Sequence, residues 1–368
     1  MIISPMTAVL KYALLLISLT ILTTSCAGES SPVTLEEEAN VNPEEATVES
    51  LNAKASLILY TSVELNENLL TTSDSQGRFE INEERIIHLT HNPVSIVSYD
   101  YSGKQKTLIG GVGNGPFQYQ SPSQIQLTRD TLHLVDMEGN YFQFHADGRP
   151  VMQKRLSPAV YQNFIVDGNT IYLYTRRDPG NYYIHKFDVN SGDLLAKTGK
   201  GSANDEWLNI RYEAGGMFIG GDSLYYILPS ELSLFSKALG QEKIYRKDLT
   251  YPNFIQKDFA HTFQEVQDDP DLMVDYIMSR TAVSGLFLMD DYVLISLVNP
   301  SKSSFEEYSY LLFDKNLEYI DEINLTEDFV ESYGNRVRST LGNKLMFYNE
   351  TVVDDGVKKL VTLWELAE

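Results

Sequence analysis

The chain has 368 residues, a formal net charge of −22, 43% hydrophobic residues and a single cysteine. This length and hydrophobic content are sufficient for one large folded domain. The negative charge argues against nucleic-acid binding and against docking on anionic lipid, and one cysteine cannot form an internal disulfide.

The first residues predict a targeting segment. Lys11 supplies a positive charge, Tyr12 to Leu22 form an apolar run, and small polar residues lead into Cys26. The run is too short to span a membrane comfortably and suits the core of a signal peptide. The segment resembles a bacterial lipoprotein signal, with Thr23 where leucine is most common. That resemblance implies removal of residues 1–25 and lipidation of Cys26, whereas an ordinary secretory signal is the alternative.

Residues 26–54 are predicted to be an acidic, flexible tether. Residues 27–50 hold seven Glu and no Lys or Arg, and they show no apolar periodicity. Such a stretch cannot bury enough surface to offset its ordering entropy. The folded domain is therefore expected over residues 55–368. It is expected to be held at a membrane by the lipid anchor alone.

A pattern of short strands recurs about every 45 residues in this domain. Each copy has a strand that ends in an aromatic residue, followed by a polar turn that is usually closed by Gly. The aromatic residues are Tyr99, Phe144, Phe187, Phe235, Phe313 and Trp364. Repeats of this length made only of strands are typical of a β-propeller. The predicted fold class is therefore all-β.

Six blades are predicted, each with four antiparallel strands. The first five span 78–109, 124–156, 163–198, 217–247 and 284–323. The C-terminal blade supplies only three strands, so Ser56–Leu65 is predicted to complete it beside Leu360–Trp364. This pairing closes the ring and removes an exposed sheet edge.

A helical insertion is predicted between blades 4 and 5, at about 250–282. Apolar residues recur there at helical spacing, and Pro270 divides the segment into two short helices. One apolar face at this spacing usually indicates core packing. The insertion is thus interpreted as a cap over the propeller and not as a cofactor site.

The segment from Gly110 to Pro122 reads GGVGNGPFQYQSP. It is similar to the glycine-rich turn of six-bladed NHL-like and TolB-like propellers, a family common among bacterial lipoproteins, although two residues of the usual motif are missing. A weaker version begins at Gly199. The resemblance implies the fold and an extracytoplasmic place in the cell envelope, with the anchor in the outer membrane. The resemblance does not indicate a particular activity, because relatives include binding, scaffolding and enzymatic proteins. The glycines are predicted to provide positive φ and not a phosphate loop.

The sequence contains no recognisable catalytic motif. Its six histidines form no local pair, and His88, His133 and His185 lie within predicted strands. A structural role is therefore predicted for them. The sequence is also compatible with a composite calcium or zinc site in the central channel, since ligands contributed one per blade leave no local motif.

One face of the propeller is predicted to carry the long connections. The turns between the second and third strands open on the same side as the connections between blades, and long loops on a rigid scaffold are common binding sites. Candidate ligand-binding side chains on this face are Tyr119, Trp207, Arg211, Tyr212, Arg280 and Arg336. Loop packing and surface ion pairs are the alternative for each.

These observations predict a membrane-anchored, non-enzymatic β-propeller that binds a protein, peptide or glycan through this face. A monomeric domain with no cofactor and no nucleic-acid partner is expected. The alternative is a metal-dependent hydrolase or lyase with its site in the channel.

Overall fold

A computed structural model describes residues 47–48, 56–66, 77–156, 161–175, 178, 180–208, 215–300, 307–353 and 356–367. The predicted signal peptide, Cys26 and most of the predicted tether lie outside these residues. Within the predicted tether range, Thr47–Val48 is described as a short strand, β1.

The described chain forms six blades of antiparallel strands. Blade 1 consists of β3 (Arg78–Ile81), β4 (Ile86–His91), β5 (Val94–Tyr99) and β6 (Gln105–Leu108). A two-residue parallel pair follows, β7 (Gly111–Val112) with β8 (Gln118–Tyr119). Blade 2 consists of β9 (Pro122–Thr128), β10 (Thr131–Asp136), β11 (Asn140–His145) and β12 (Pro150–Arg155).

The next three blades have the same order. Blade 3 consists of β13 (Tyr161–Asp167), β14 (Thr170–Thr175), β15 (Tyr182–Asp188) and β16 (Leu194–Lys200). Blade 4 consists of β17 (Gly216–Gly220), β18 (Ser223–Ile227), β19 (Ser233–Ala238) and β20 (Ile244–Asp248). Blade 5 consists of β21 (Ala282–Leu288), β22 (Tyr292–Val298), β23 (Tyr308–Asp314) and β24 (Tyr319–Asn324).

Blade 6 joins the two ends of the domain, as predicted. Its C-terminal strands are β25 (Val337–Leu341), β26 (Lys344–Val353) and β27 (Gly356–Ala367), and β2 (Ser56–Glu64) pairs with β27. Leu57 lies opposite Leu366, and Glu64 lies opposite Leu360. The predicted closure is confirmed, although β2 is not outermost, because β1 pairs along its other edge.

The hydrophobic core is divided among the junctions between blades. Six buried clusters each join two neighbouring blades. The cluster at the junction of blades 6 and 1 packs Phe79 and Tyr99 against Tyr348 and Leu363, which completes the ring. The repeated aromatic residues predicted from the sequence lie in the third strand of each blade, and Trp364 is fully buried.

Within the residues that the structure describes, four short helices lie in the connections between blades. They are α1 (Ala203–Leu208), α2 (Phe263–Asp268), α3 (Asp271–Met278) and α4 (Glu327–Tyr333). The two helices predicted on either side of Pro270 are confirmed as α2 and α3. At the start of α2, Thr262 and Glu265 form a capping box, in which each side chain accepts a hydrogen bond from the other residue's backbone N–H.

Helices α1 and α4 were not predicted from the sequence. Each has no more than seven residues, so neither displays two turns of apolar periodicity. Helix α4 begins after Thr326, whose hydroxyl accepts a hydrogen bond from the Phe329 backbone N–H at 3.2 Å. It is held by tertiary packing, because Phe329 lies 4.8 Å from Trp364 between ring centroids. Within the described residues, none of the helices has the length and apolar character needed to cross a bilayer.

Candidate functional site

The order of strands gives the propeller two different faces. We call "hairpin face" the side with the turns between first and second strands and between third and fourth strands. Those turns contain two to five residues. We call "loop-rich face" the opposite side, which carries the connections between blades at 109–121, 201–215, 249–281 and 325–336. All four described helices belong to the loop-rich face.

The inner strands β3, β9, β13, β17, β21 and β25 line a central channel. Its cavity has a volume of about 510 Å³ and is bordered by residues of all six blades. Because every blade proceeds from its inner strand outward, the inner strands run in one direction. Each begins near the loop-rich face and ends in a turn on the hairpin face. Residues at the starts of these strands therefore surround the loop-rich mouth of the channel.

Among the candidates whose side chains are described, Arg336 borders this channel. It lies immediately before β25. The neighbouring strand β3 begins with Arg78, and Arg338 is the second residue of β25. The sequence reasoning did not select Arg78 or Arg338. The alternation of residue types in β3 could have indicated that Arg78 and Glu80 share one face of the strand. They alternate there with the buried Phe79 and Ile81.

Glu80 is the acidic group of the wall near these arginines. Its carboxyl oxygen accepts a hydrogen bond from the Leu127 backbone N–H at 3.2 Å, across the junction of blades 1 and 2. At the corresponding position of the next junction, the Gln126 side chain accepts from the Val166 N–H at 2.9 Å. Burial raises the pKa of Glu80 to about 8. At neutral pH Glu80 is therefore mainly a neutral acid, similar in shape and charge to Gln126.

Tyr119 lies inside the loop-rich connection between blades 1 and 2. It is 1% exposed, and its hydroxyl donates a hydrogen bond to the Ile109 carbonyl at 3.0 Å. Burial raises its pKa to about 12, which keeps the hydroxyl protonated. The nearby Gly110 has φ of +64°, as predicted for this turn. The contacts of Tyr119 hold this connection against the core, and its predicted binding role stays a prediction.

Arg280 connects the helical insertion to blade 4 through hydrogen bonds. It is 1% exposed, and its guanidinium donates hydrogen bonds to the Lys257 carbonyl at 2.8 Å and to the Ser230 carbonyl at 2.7 Å. It also donates to the Tyr276 hydroxyl and lies over that ring. These partners give Arg280 a structural role. A ligand-binding role for it stays a prediction.

The other sequence candidates are only partly described. Trp207 belongs to α1, but its side chain is outside the described part of the chain. Arg211 and Tyr212 also lie outside it, as does Cys26. The structure therefore does not bring the six candidates into one described cluster. Tyr119 and Arg280 are buried at different junctions, while Arg336 borders the channel.

The buried histidines have aromatic or charged neighbours. His88 stacks on Phe79 at 4.1 Å between ring centroids, and His133 forms a 2.7 Å hydrogen bond with the Tyr141 hydroxyl. Burial lowers the pKa of His133 to about 4, so it is neutral at physiological pH. The Nε2 atom of His185 lies 3.2 Å from a carboxyl oxygen of Asp178. Among the described residues, no three His, Cys, Asp or Glu side chains are grouped so as to hold a metal ion.

Comparisons with known proteins find similarity in the fold alone. No family model matches the chain, and no curated protein matches it. A Bacteroides fragilis protein described as exported is similar in structure, with a TM-score of 0.60, 11% identity, and coverage of 85% of this chain and 96% of that chain. At this identity the likeness establishes the fold alone.

Two further structures have lower similarity. BamB from Moraxella catarrhalis has a TM-score of 0.37 and 10% identity, over 84% of this chain and 97% of that chain. PorZ, a surface component of the type-IX secretion system of Porphyromonas gingivalis, has a TM-score of 0.40 and 10% identity, over 82% of this chain and 39% of that chain. These scores are too low to support an argument about function. The chain is a six-bladed β-propeller closed by its N-terminal strand.

Proposed function

We propose that this protein is an extracytoplasmic, lipid-anchored β-propeller that binds a protein, peptide or glycan partner through its loop-rich face. The observation that carries the proposal is the difference between the two faces. In the described part of the chain, the hairpin face holds turns of two to five residues, whereas the loop-rich face holds four helices and the long connections. A rigid scaffold that concentrates its irregular segments on one side is a common design for recognition.

Segments of the loop-rich face are packed against the blades beneath them, so this face can present a defined surface. Helix α4 packs Phe329 onto the core of blade 6, and Arg280 ties the helical insertion to blade 4. Preorganised surfaces lose less conformational entropy on binding than mobile ones. The support favours recognition of a partner by shape as well as by charge.

The binding face can be tested by site-specific photocrosslinking in intact cells. A crosslinking residue at Val352, which is 78% exposed on the loop-rich face, is expected to capture a discrete partner. The matched control places the same residue at Asp130, in an exposed turn of the hairpin face. Equal capture from both positions, or capture from Asp130 alone, would contradict the assigned face.

Trp207 and Arg211, whose side chains lie outside the described part of the chain, can be tested on the same face. Replacing Trp207 and Arg211 with Ala should weaken recovery of that crosslinked partner while leaving the melting temperature unchanged. Unchanged recovery would remove these two residues from the proposed surface.

The anchor is tested separately at Cys26. The wild-type chain should incorporate labelled fatty acid and fractionate with membranes, whereas Cys26→Ser should lose the label and become soluble. Membrane fractionation of the Ser variant equal to wild type would contradict lipid anchoring. Because this test does not involve the propeller, it can fail without affecting the proposed binding face.

A further inference from the structure

The helical insertion borders a second cavity, on the loop-rich face. This cavity has a volume of about 1000 Å³ and is lined by residues of 257–261, by residues between Leu272 and Ser279, and by Pro300. Pro300 follows β22 of blade 5, so the cavity lies where the insertion meets that blade. We call this cavity the insertion groove.

Much of the wall of the insertion groove is apolar. The apolar residues that line it are Phe259, Leu272, Val274, Tyr276, Met278 and Pro300. Val274 is 44% exposed, whereas Tyr276 is buried beneath it. An open cavity with an apolar wall is typical of a binding site, because removing that wall from water on binding is favourable.

Contacts beneath the insertion groove fix its shape. The ring centroids of Phe259 and Tyr276 lie 4.7 Å apart, and Tyr276 packs with Ile277 and Val298 in one buried cluster. The Phe259 backbone N–H donates a hydrogen bond to the Asn204 side-chain oxygen at 2.9 Å, which connects this segment to α1. Because the groove is preformed, a ligand that enters it orders few protein side chains.

The segment that forms the groove is acidic. Residues 249–281, which the structure describes throughout, hold six Asp or Glu and two Lys or Arg. Arg280 is buried and donates to backbone carbonyls, so Lys257 is the exposed cation of this segment. Asp258 and Asp275 are exposed and border the groove itself. The other four acids are Glu265, Asp268, Asp269 and Asp271.

Among the described residues, none of these six carboxylates forms an ion pair with Lys, Arg or His. Asp258 accepts a hydrogen bond from the Asn204 amide at 2.9 Å. Glu265 accepts from the backbone and the hydroxyl of Thr262. These donors are neutral and leave the negative charge in place. The groove is therefore an apolar cavity within a negative potential, which attracts cations.

From this geometry we infer that the insertion groove binds a short segment of a partner protein in which apolar side chains are flanked by lysine or arginine. The apolar side chains cover the wall at Val274 and Tyr276, and the cations face Asp258 and Asp275. This inference rests on the proposed binding face and adds the place and the chemical class of the partner. A second copy of this chain is the alternative occupant, and its net charge of −22 disfavours it through mutual repulsion.

The test is fluorescence anisotropy of labelled heptapeptides titrated with the full-length protein. One peptide alternates lysine with leucine, a second has glutamate in place of lysine, and a third has serine in place of leucine. The lysine–leucine peptide should bind about tenfold more tightly than either of the others, with affinity that falls as salt is added. Equal binding of either of the other two peptides, or no binding of the lysine–leucine peptide, would overturn the site.

Matched variants locate the site. Asp275→Lys should weaken binding of the lysine–leucine peptide about tenfold, whereas Asp130→Lys makes the same change in net charge on the hairpin face and should have little effect. Val274→Ser should weaken binding about threefold, because it removes apolar contact area. Its control is Val151→Ser on blade 2, since Val151 has a similar exposure of 46%. Equal losses in the groove variants and their controls would contradict the assignment.

Two further results separate this inference from the proposed binding face. Capture of a discrete partner from Val352 without binding of the lysine–leucine peptide would remove the groove and leave the loop-rich face as the binding surface. Sedimentation of the wild-type protein as a dimer that Val274→Ser disrupts would assign the groove to a second copy and overturn the partner segment. Circular dichroism and melting curves check the folding of each variant, and Asp275→Lys remains informative if Val274→Ser does not fold.

Discussion

The two faces of the propeller differ in how much of the core they share. On the hairpin face, turns such as 129–130 and 221–222 only reverse the chain, and longer turns add single core side chains such as Val189 and Met289. On the loop-rich face, the connections add buried side chains from helices as well as loops, among them Tyr119, Phe329 and Arg280. The connections of the loop-rich face therefore contribute more to the folded core, and changes there should on average cost more stability.

The faces also differ in charge near the channel. The turns that follow the inner strands on the hairpin face are rich in acids, including Glu83, Glu84, Asp290 and Asp291. The opposite mouth is bordered by Arg78, Arg336 and Arg338.

The largest effect is expected from Phe329→Ala in α4. Phe329 is 2% exposed and packs against Phe347, Tyr333 and Trp364. The cavity should lower the free energy of unfolding by about 4 kcal/mol. Urea denaturation measures this, with the 78% exposed Val352→Ala as a control expected to change little. A loss below about 1 kcal/mol for Phe329→Ala would show that α4 is dispensable to the core.

Glu80→Gln should change how stability depends on pH. The pKa of Glu80 is raised from 4.5 to about 8 in the fold, so the folded state holds a proton that the unfolded state releases. Wild-type stability should therefore fall as pH rises from about 4.5 to about 8, by at most about 1.4 kcal/mol per pH unit. The variant lacks this dependence and resembles Gln126. Unfolding at several pH values checks it, and parallel pH profiles for both proteins would contradict a buried neutral acid.

Arg280→Met tests the structural role of Arg280. Its loss leaves the buried carbonyls of Lys257 and Ser230 without their donor. Stability should fall by about 3 kcal/mol, which urea denaturation measures. Unchanged stability would contradict the structural role and leave the binding role predicted from the sequence.

The smallest effects compare one glycine from each face. A Cβ at Gly110 would lie 2.8 Å from Tyr119 Cε1, and its φ of +64° is also unfavourable for alanine. Gly221 on the hairpin face has φ of +55° but open space around the added Cβ. We expect Gly110→Ala to cost roughly 2 to 3 kcal/mol and Gly221→Ala about 1 kcal/mol. Equal melting temperatures for the two variants would contradict the tighter packing of the loop-rich face.

Much of the fold could be predicted because its signal is local. Third-strand aromatics such as Phe144 and Phe187 recur in every blade, since each must fill a junction between two sheets. Alternating strands and glycine-closed turns mark the blade boundaries. The apolar segment Ser56–Leu65 and the incomplete last blade together predicted closure, which the pairing of β2 with β27 confirms.

The candidate site was harder to predict because its signals are not local. Exposure of an aromatic or arginine in a long loop cannot be known from spacing, and Tyr119 and Arg280 prove to be buried. Arg78 and Arg338 are 260 positions apart in the chain and become neighbours at one junction only when the ring closes.

The sequence by itself determined the number of blades and the way the ring closes, because strand alternation and interblade aromatics repeat with a fixed period. Only the tertiary structure decided which charges meet in the channel and which loop side chains are buried. Every inner strand contributes residues to the channel wall, so the chemistry of the channel exists only where six distant segments converge.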